Sequence, residues 1–176
     1  MPEVISNYGT DKVFYYIANN VCYYIYINPN YITISTIFIT NYISYLIIYN
    51  KNFSTIMLFV FIRSFFDILD GAMARYYNKT SEFGRLLDSV CDLYYSIIMF
   101  LTFFYKYIFA LNFYKIFLIL FFSYIIIDEA YTEFILINKN NSIDIFKQNK
   151  IMLIIHDNYI LCNIVFIYCC YYFLHL

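Results

Sequence analysis

The sequence has little of what a soluble protein shows to water. Charged residues make up 13% of it against 63% hydrophobic, where a globular domain has about 25% charged and about 45–50% apolar. That scarcity excludes an ordinary soluble fold. Acidic and basic residues almost cancel, leaving a formal net charge of −1, so neither nucleic acid nor a strongly basic, lipid-attracted face is implied. With three glycines and two prolines in 176 residues there is no Gly/Ser linker, and no internal repeat is visible. Residues 1–176 therefore read as a single membrane domain. Tryptophan is absent, so the aromatic 24% is all Tyr and Phe. Ile and Asn are heavily used too, which points to an AT-rich coding bias and leaves single aromatics with little functional meaning. Cys22, Cys91, Cys162, Cys169 and Cys170 lie in or beside apolar runs without C-x-x-C spacing, the pattern of small buried apolar residues rather than of a metal or disulfide framework. The start of the chain lacks a basic n-region followed by a small-residue cleavage site, so no cleaved signal peptide is expected.

What is present is length of apolar run. Crossing a bilayer takes about 20 apolar residues in a helix, and only helices or closed barrels satisfy their backbone groups there. The runs at 31–49, 55–77, 83–105, 113–137 and 151–175 predict five spans. Residues 13–28, broken by Asn19 and Asn20, are short for a crossing and predict an interfacial amphipathic helix. The expected fold class is an all-α integral membrane bundle of five transmembrane helices, a sixth being left open, preceded by that helix. A cytosolic N-terminus puts Lys12, Arg75, Lys79, Arg85, Lys139, Lys147 and Lys150 on the cytosolic side against Lys51, Lys106 and Lys115 opposite, in keeping with the positive-inside bias. The reversed topology is the alternative.

Between two of these apolar runs stands DILDGAMARYYNKTSEFGRLLDSVCD, residues 67–92, with four aspartates. Arg63, Asp67, Asp70, Gly71, Ala74 and Arg75 recur at three- or four-residue steps and share one helical stripe. Gly84, Asp88 and Asp92 do the same on the next helix, and the short turn between them sets the stripes face to face. An intramembrane Asp costs about 2.5–3.5 kcal/mol, and Arg63 and Arg75 cannot neutralise four of them. Two divalent ions, Mg²⁺ or Mn²⁺, suit the hard carboxylate oxygens and would stabilise charge developing at phosphorus. Gly71 and Ala74 leave room for a ligand against the helix backbone, while the Arg75 fork suits a pyrophosphate. Gly84 either does the same or lets helices pack closely. Arg63 with Asp67 is an alternative structural ion pair.

Taken together, Asp67, Asp70, Gly71, Ala74, Arg75, Gly84, Asp88 and Asp92 form an unbroken D-x2-D-G-x2-A-R-x8-G-x3-D-x3-D pattern. It resembles the signature of the CDP-alcohol phosphatidyltransferases, and NPNYIT before the first span resembles that family's P-N-x-x-T. The resemblance covers residues 28–105. It implies that Asp67, Asp70, Asp88 and Asp92 hold the metals, with Asp92 also the general base on the acceptor hydroxyl. Gly71, Ala74 and Arg75 would contact the CDP group, as would Asn30 and Thr33, for which helix capping is the competing explanation. It further implies a homodimer, six spans, CDP-diacylglycerol as the usual donor and CMP as the leaving group.

The run NKTSEFGRLLD looks most like the eukaryotic phosphatidylinositol synthases, which implies myo-inositol as acceptor and an endoplasmic reticulum or related membrane with the site facing the cytosol. In this comparison Gly84, Arg85 and Asp128 are candidate acceptor or cleft residues. Tyr131, Thr132 and Glu133 replace a Ser-His-Trp sequence, and Leu93 stands where Arg is usual. Glycerol 3-phosphate, serine, and phosphocholine or phosphoethanolamine transfer to diacylglycerol therefore stay open. A divalent-cation transporter or an inactive family member is the reading from a different class. Asp128, Glu129 and Glu133 either meet the acceptor's hydroxyls or mark the interface, His156 and Asp157 either face the cleft or are structural, and the sequons at Asn52, Asn78 and Asn140 read as unused.

Overall fold

The computed structural model describes residues 12–107, and every regular element among them is an α-helix: α1 (Lys12–Tyr24), α2 (Pro29–Ile48), α3 (Phe53–Tyr76) and α4 (Glu82–Tyr107). α2, α3 and α4 fall on the first three expected spans. The spans expected at 113–137 and 151–175 lie outside the described residues, as do Asp128, Glu129, Glu133, His156 and Asp157.

The helix ends follow from local chemistry. Asn28 caps α2, its side chain accepting the Asn30 N–H at 3.1 Å. Pro29 occupies the first turn, where a missing N–H matters least. The cap expected of Asn30 and Thr33 thus falls to Asn28. α2 and α3 stop in the same manner, with Asn50 and Asn78 in the left-handed region at φ 52° and 53°. The Lys51 N–H then reaches Leu46 O at 2.9 Å, and the Lys79 N–H reaches Ala74 O at 2.8 Å. Both are Schellman closures in which asparagine takes the place usual for glycine. At the start of α4 the Ser81 hydroxyl accepts the Gly84 N–H at 2.9 Å, the usual N-cap bond.

These short turns make α3 antiparallel to both α2 and α4. α2 packs on α3 and α4, and α1 packs on α3. One apolar core fills the half of the bundle near the α2–α3 turn, built from Ile43, Leu46, Ile47, Ile56, Val60, Tyr95, Met99 and Phe103. Polar ties between α2 and α4 flank it, Ser44 to Thr102 at 2.6 Å and the Lys106 ammonium to Ile47 O at 2.7 Å. A second core joins Ala18 and Cys22 of α1 to Ile32, Ile68, Leu69, Ala72 and Met73.

α2 and α4 are long and apolar enough to cross a membrane. α3 matches them in length, with 24 residues, but carries Arg63, Asp67, Asp70 and Arg75. Outward-facing Phe38, Leu58, Leu101 and Tyr105 are all more than half exposed, as a lipid-facing surface requires. α1 ends at Tyr24 rather than at residue 28, and Asn28, the residue before Pro29, is extended, as proline requires of its neighbour. It buries Ala18 and Cys22 against α3 and turns Tyr16, Asn19, Asn20, Tyr23 and Tyr24 outward. Burial pushes the Cys22 thiol up from its ordinary value. Among the described residues Cys22 and Cys91 are buried and form no disulfide.

Candidate functional site

From Arg63 to Arg75 the polar stripe of α3 runs about 18 Å along the helix at 1.5 Å per residue. Its Arg75 end lies at the α3–α4 turn, beside the starts of α2 and α4. Arg63 lies near the middle of α3. Facing it, α4 brings Gly84, Asp88 and Asp92 down the same cleft, so the polar groups fill one half of the bundle and the larger apolar core fills the other.

Three of the four aspartates meet. Asp67, Asp88 and Asp92 each offer a carboxylate oxygen, and the three atoms lie within 4.8 Å of one another. All three residues are partly buried. Two like charges about 4 Å apart repel by about 4 kcal/mol at an effective dielectric of about 20, so this arrangement calls for positive charge. The donor set is all carboxylate oxygen, from two rigid helices, which fits a hard divalent cation such as Mg²⁺ or Mn²⁺.

Asp70 is held differently. Its Oδ2 accepts the Thr33 hydroxyl at 2.5 Å, and it is 4% exposed. Thr33 also lies 3.1 Å from Pro29 O, so the first turn of α2 orients Asp70 across the helix boundary. Asp70 therefore borders the three-carboxylate group from the α2 side.

Arg63 is fully buried, and its guanidinium spans the cleft to donate to Asp92 Oδ1 at 2.6 Å. Asp67, one turn along its own helix, is 3.9 Å away. The cross-helix contact is the shorter, so the Arg63–Asp67 pair expected from spacing is secondary. Beneath the guanidinium lies the Tyr95 ring, with its centroid 4.0 Å from Cζ. This platform was not anticipated, although Tyr95 follows Asp92 by three residues and so shares its stripe.

At the mouth, Arg75 folds back along α3. A Cβ on Gly71 would meet its two terminal nitrogens at 3.1 and 3.3 Å. The room that Gly71 leaves is thus filled by the Arg75 fork rather than left open, and the Tyr15 ring of α1 stands 6.0 Å from that guanidinium. Gly84 permits another close approach: a Cβ there would lie 3.1 Å from Ser81 Oγ and 3.5 Å from Asn30 Oδ1. Asn30 thereby sits at the rim beside α4. Ala74 is half-buried next to Arg75, and Arg85 is exposed on the first turn of α4, apart from the carboxylates.

A cluster of hard oxygens near a guanidinium fork, toward one end of the described helices, can bind a divalent cation together with a phosphate ester. A sequence model for a family described as CDP-alcohol phosphatidyltransferase matches residues 26–172. No curated protein and no solved structure matches the chain.

Proposed function

Because the chain belongs to the CDP-alcohol phosphatidyltransferase family, it is a transferase of substituted phosphate groups, and we propose that it moves a phosphatidyl group from CDP-diacylglycerol to myo-inositol, releasing CMP. The observation that carries the site is the meeting of Asp67, Asp88 and Asp92 within 4.8 Å on facing helices. Those residues, with Asp70 beside them, would hold the divalent ions. When bound, the ions would supply charge stabilisation for the pentacoordinate phosphorus.

The protein's own groups do the rest. Arg75, lying over Gly71, binds the pyrophosphate at the mouth, with Ala74, Asn30 and Thr33 bordering the same space. The hydroxyl oxygen of the acceptor attacks the phosphorus distal to cytidine. The bond from that phosphorus to the bridging oxygen breaks, and CMP leaves with the electron pair. Asp92 accepts the hydroxyl proton, and its contact with Arg63 keeps the carboxylate in place for that transfer. Positioning and charge stabilisation account for most of the rate in phosphoryl transfer.

The run NKTSEFGRLLD supports inositol, and Gly84, Arg85 and Asp128 are the residues proposed to meet the acceptor. The grouping of Arg75, Lys79 and Arg85 near the α3–α4 turn, against Lys51 and Lys106 at the other end, supports a cytosolic mouth. Membranes holding the expressed chain, given CDP-diacylglycerol, Mg²⁺ or Mn²⁺ and a panel of inositol, glycerol 3-phosphate and serine, are expected to release CMP with inositol alone. Release with another member of the panel reassigns the acceptor, and release with none sinks the phosphatidyl-transfer reading.

Gly71→Ala tests the mouth. The added methyl displaces the Arg75 fork by a few tenths of an ångström, while alanine gains about 1 kcal/mol of helix propensity over glycine. KM for CDP-diacylglycerol is expected to rise severalfold with little change in kcat, and the melting temperature to rise. An unchanged KM separates Gly71 and Arg75 from nucleotide binding.

A further inference from the structure

Arg63 is the most deeply enclosed charge among the described residues: it is 0% exposed, midway along α3, bound to Asp92 at 2.6 Å and 3.9 Å from Asp67, with the Tyr95 ring against its face. A buried guanidinium is expensive to desolvate, and replacing such a pair by apolar side chains is often neutral or stabilising. Packing alone therefore does not account for an arginine here. Its position does, since it stands at the deep end of the carboxylate group and contacts two of the three residues that gather within 4.8 Å.

We propose that Arg63 is a built-in counter-cation of this site: it fixes Asp92 across the cleft and, by its own positive charge, weakens the hold of Asp67, Asp88 and Asp92 on a divalent cation. This rests on the reading of those aspartates as cation ligands. Two consequences pull in opposite directions. The fork holds Asp92 against α3, which favours a site built in advance. The same charge sits within a few ångströms of any cation bound by the three oxygens, and at that distance like charges repel strongly even at protein-like screening. Electrostatics is the larger effect, because the carboxylates are already set by α3 and α4, each of which packs on α2. Arg63 thus trades cation affinity for a positioned carboxylate, and it leaves bound cations exchangeable. Tyr95 contributes by stacking on the guanidinium, which keeps the charge at the cleft wall.

The test is a Mn²⁺ titration of the full chain in lipid nanodiscs, with free Mn²⁺ followed by electron paramagnetic resonance. Arg63→Gln removes the charge but keeps an amide donor, Arg63→Met removes both, and Arg63→Lys keeps the charge without the fork. Arg63→Gln and Arg63→Met are expected to bind Mn²⁺ tenfold tighter or more and to gain more in melting temperature on Mn²⁺ addition than the parent chain does. Arg63→Lys is expected to stay within threefold of the parent in affinity. Turnover is expected to fall in all three, so that tighter cation binding accompanies slower chemistry. A merely structural arginine would give the reverse, weaker Mn²⁺ binding in parallel with lost stability. If the parent chain binds Mn²⁺ and Arg63→Gln binds it equally or more weakly, the inference is overturned. If the parent binds no Mn²⁺, the reading of the aspartates as cation ligands fails and takes the inference with it. Where Arg63→Met does not fold, the Gln and Lys pair decides alone.

Discussion

Asp92→Asn is expected to leave a chain that binds a CDP ligand as well as the parent yet turns over about 10²–10⁴-fold more slowly, the range for loss of a general base. The substitution preserves shape. An asparagine carbonyl can still accept the Arg63 N–H that now reaches Asp92 Oδ1 at 2.6 Å, so the cross-helix contact survives. What disappears is the ability to take a proton from the acceptor hydroxyl. Binding of CDP-diacylglycerol measured beside CMP release separates the two effects. Turnover comparable to the parent would remove Asp92 as base, and lost CDP binding would make it a ligand-holding residue instead.

Asp88→Asn is expected to abolish measurable turnover while raising the melting temperature in the presence of a chelator. The two signs have one cause. Asp67, Asp88 and Asp92 crowd three carboxylate oxygens within 4.8 Å, so removing one charge relieves repulsion worth on the order of 1 kcal/mol or more. Arg63 contacts Asp92 and Asp67, and those pairings are untouched by a change at Asp88. The same change takes a hard oxygen from the cation, which a neutral amide replaces poorly. Mg²⁺ or Mn²⁺ is expected to raise the melting temperature of the parent and to do so much less for the variant. A variant less stable than the parent in chelator would show that Asp88 is held by favourable contacts that outweigh the crowding. Such opposition between stability and activity is common where a site gathers like charges.

Much of this arrangement was legible in the sequence because it is periodic. Steps of three and four residues from Asp67 to Arg75 and from Gly84 to Asp92 can only form stripes on helices, and the five-residue polar break NKTSE between them forces a hairpin. The helices α2, α3 and α4 begin and end within two residues of the bounds expected from the apolar runs. What was not legible depends on side-chain direction across helices. Arg63 had two carboxylates within reach, and spacing alone favoured its i+4 neighbour Asp67. The interhelical rotation that delivers Asp92 at 2.6 Å is a property of packing. Thr33 lies 37 residues from Asp70, and nothing local announces their hydrogen bond. Tyr95 was hidden by abundance, one tyrosine among 23 in a composition that argued against reading any of them. Gly71 illustrates a subtler limit: spacing sets a ligand against it, whereas the structure sets the Arg75 fork there. The cap at Asn28 was recoverable, because a proline in the first helical turn places the cap on the residue before it.

The division of the bundle into a polar half and an apolar half bears on permeability. Carboxylates and arginines extend from Arg75 near the rim down to Arg63, while past Arg63 Ser44 meets Thr102 at 2.6 Å and the Lys106 ammonium lies at the far end. Beyond Arg63, the core formed by Ile43, Leu46, Ile47, Ile56, Val60, Met99 and Phe103 is aliphatic and aromatic, with the Tyr95 ring at its border against the guanidinium. Among the described residues the carboxylates therefore lie on the α3–α4 turn side of Arg63 and the larger apolar core on the other. Among the described residues such a division keeps several charges at membrane depth behind an apolar layer that parts Arg63 from Lys106, an insulator that slows the leak of protons or cations.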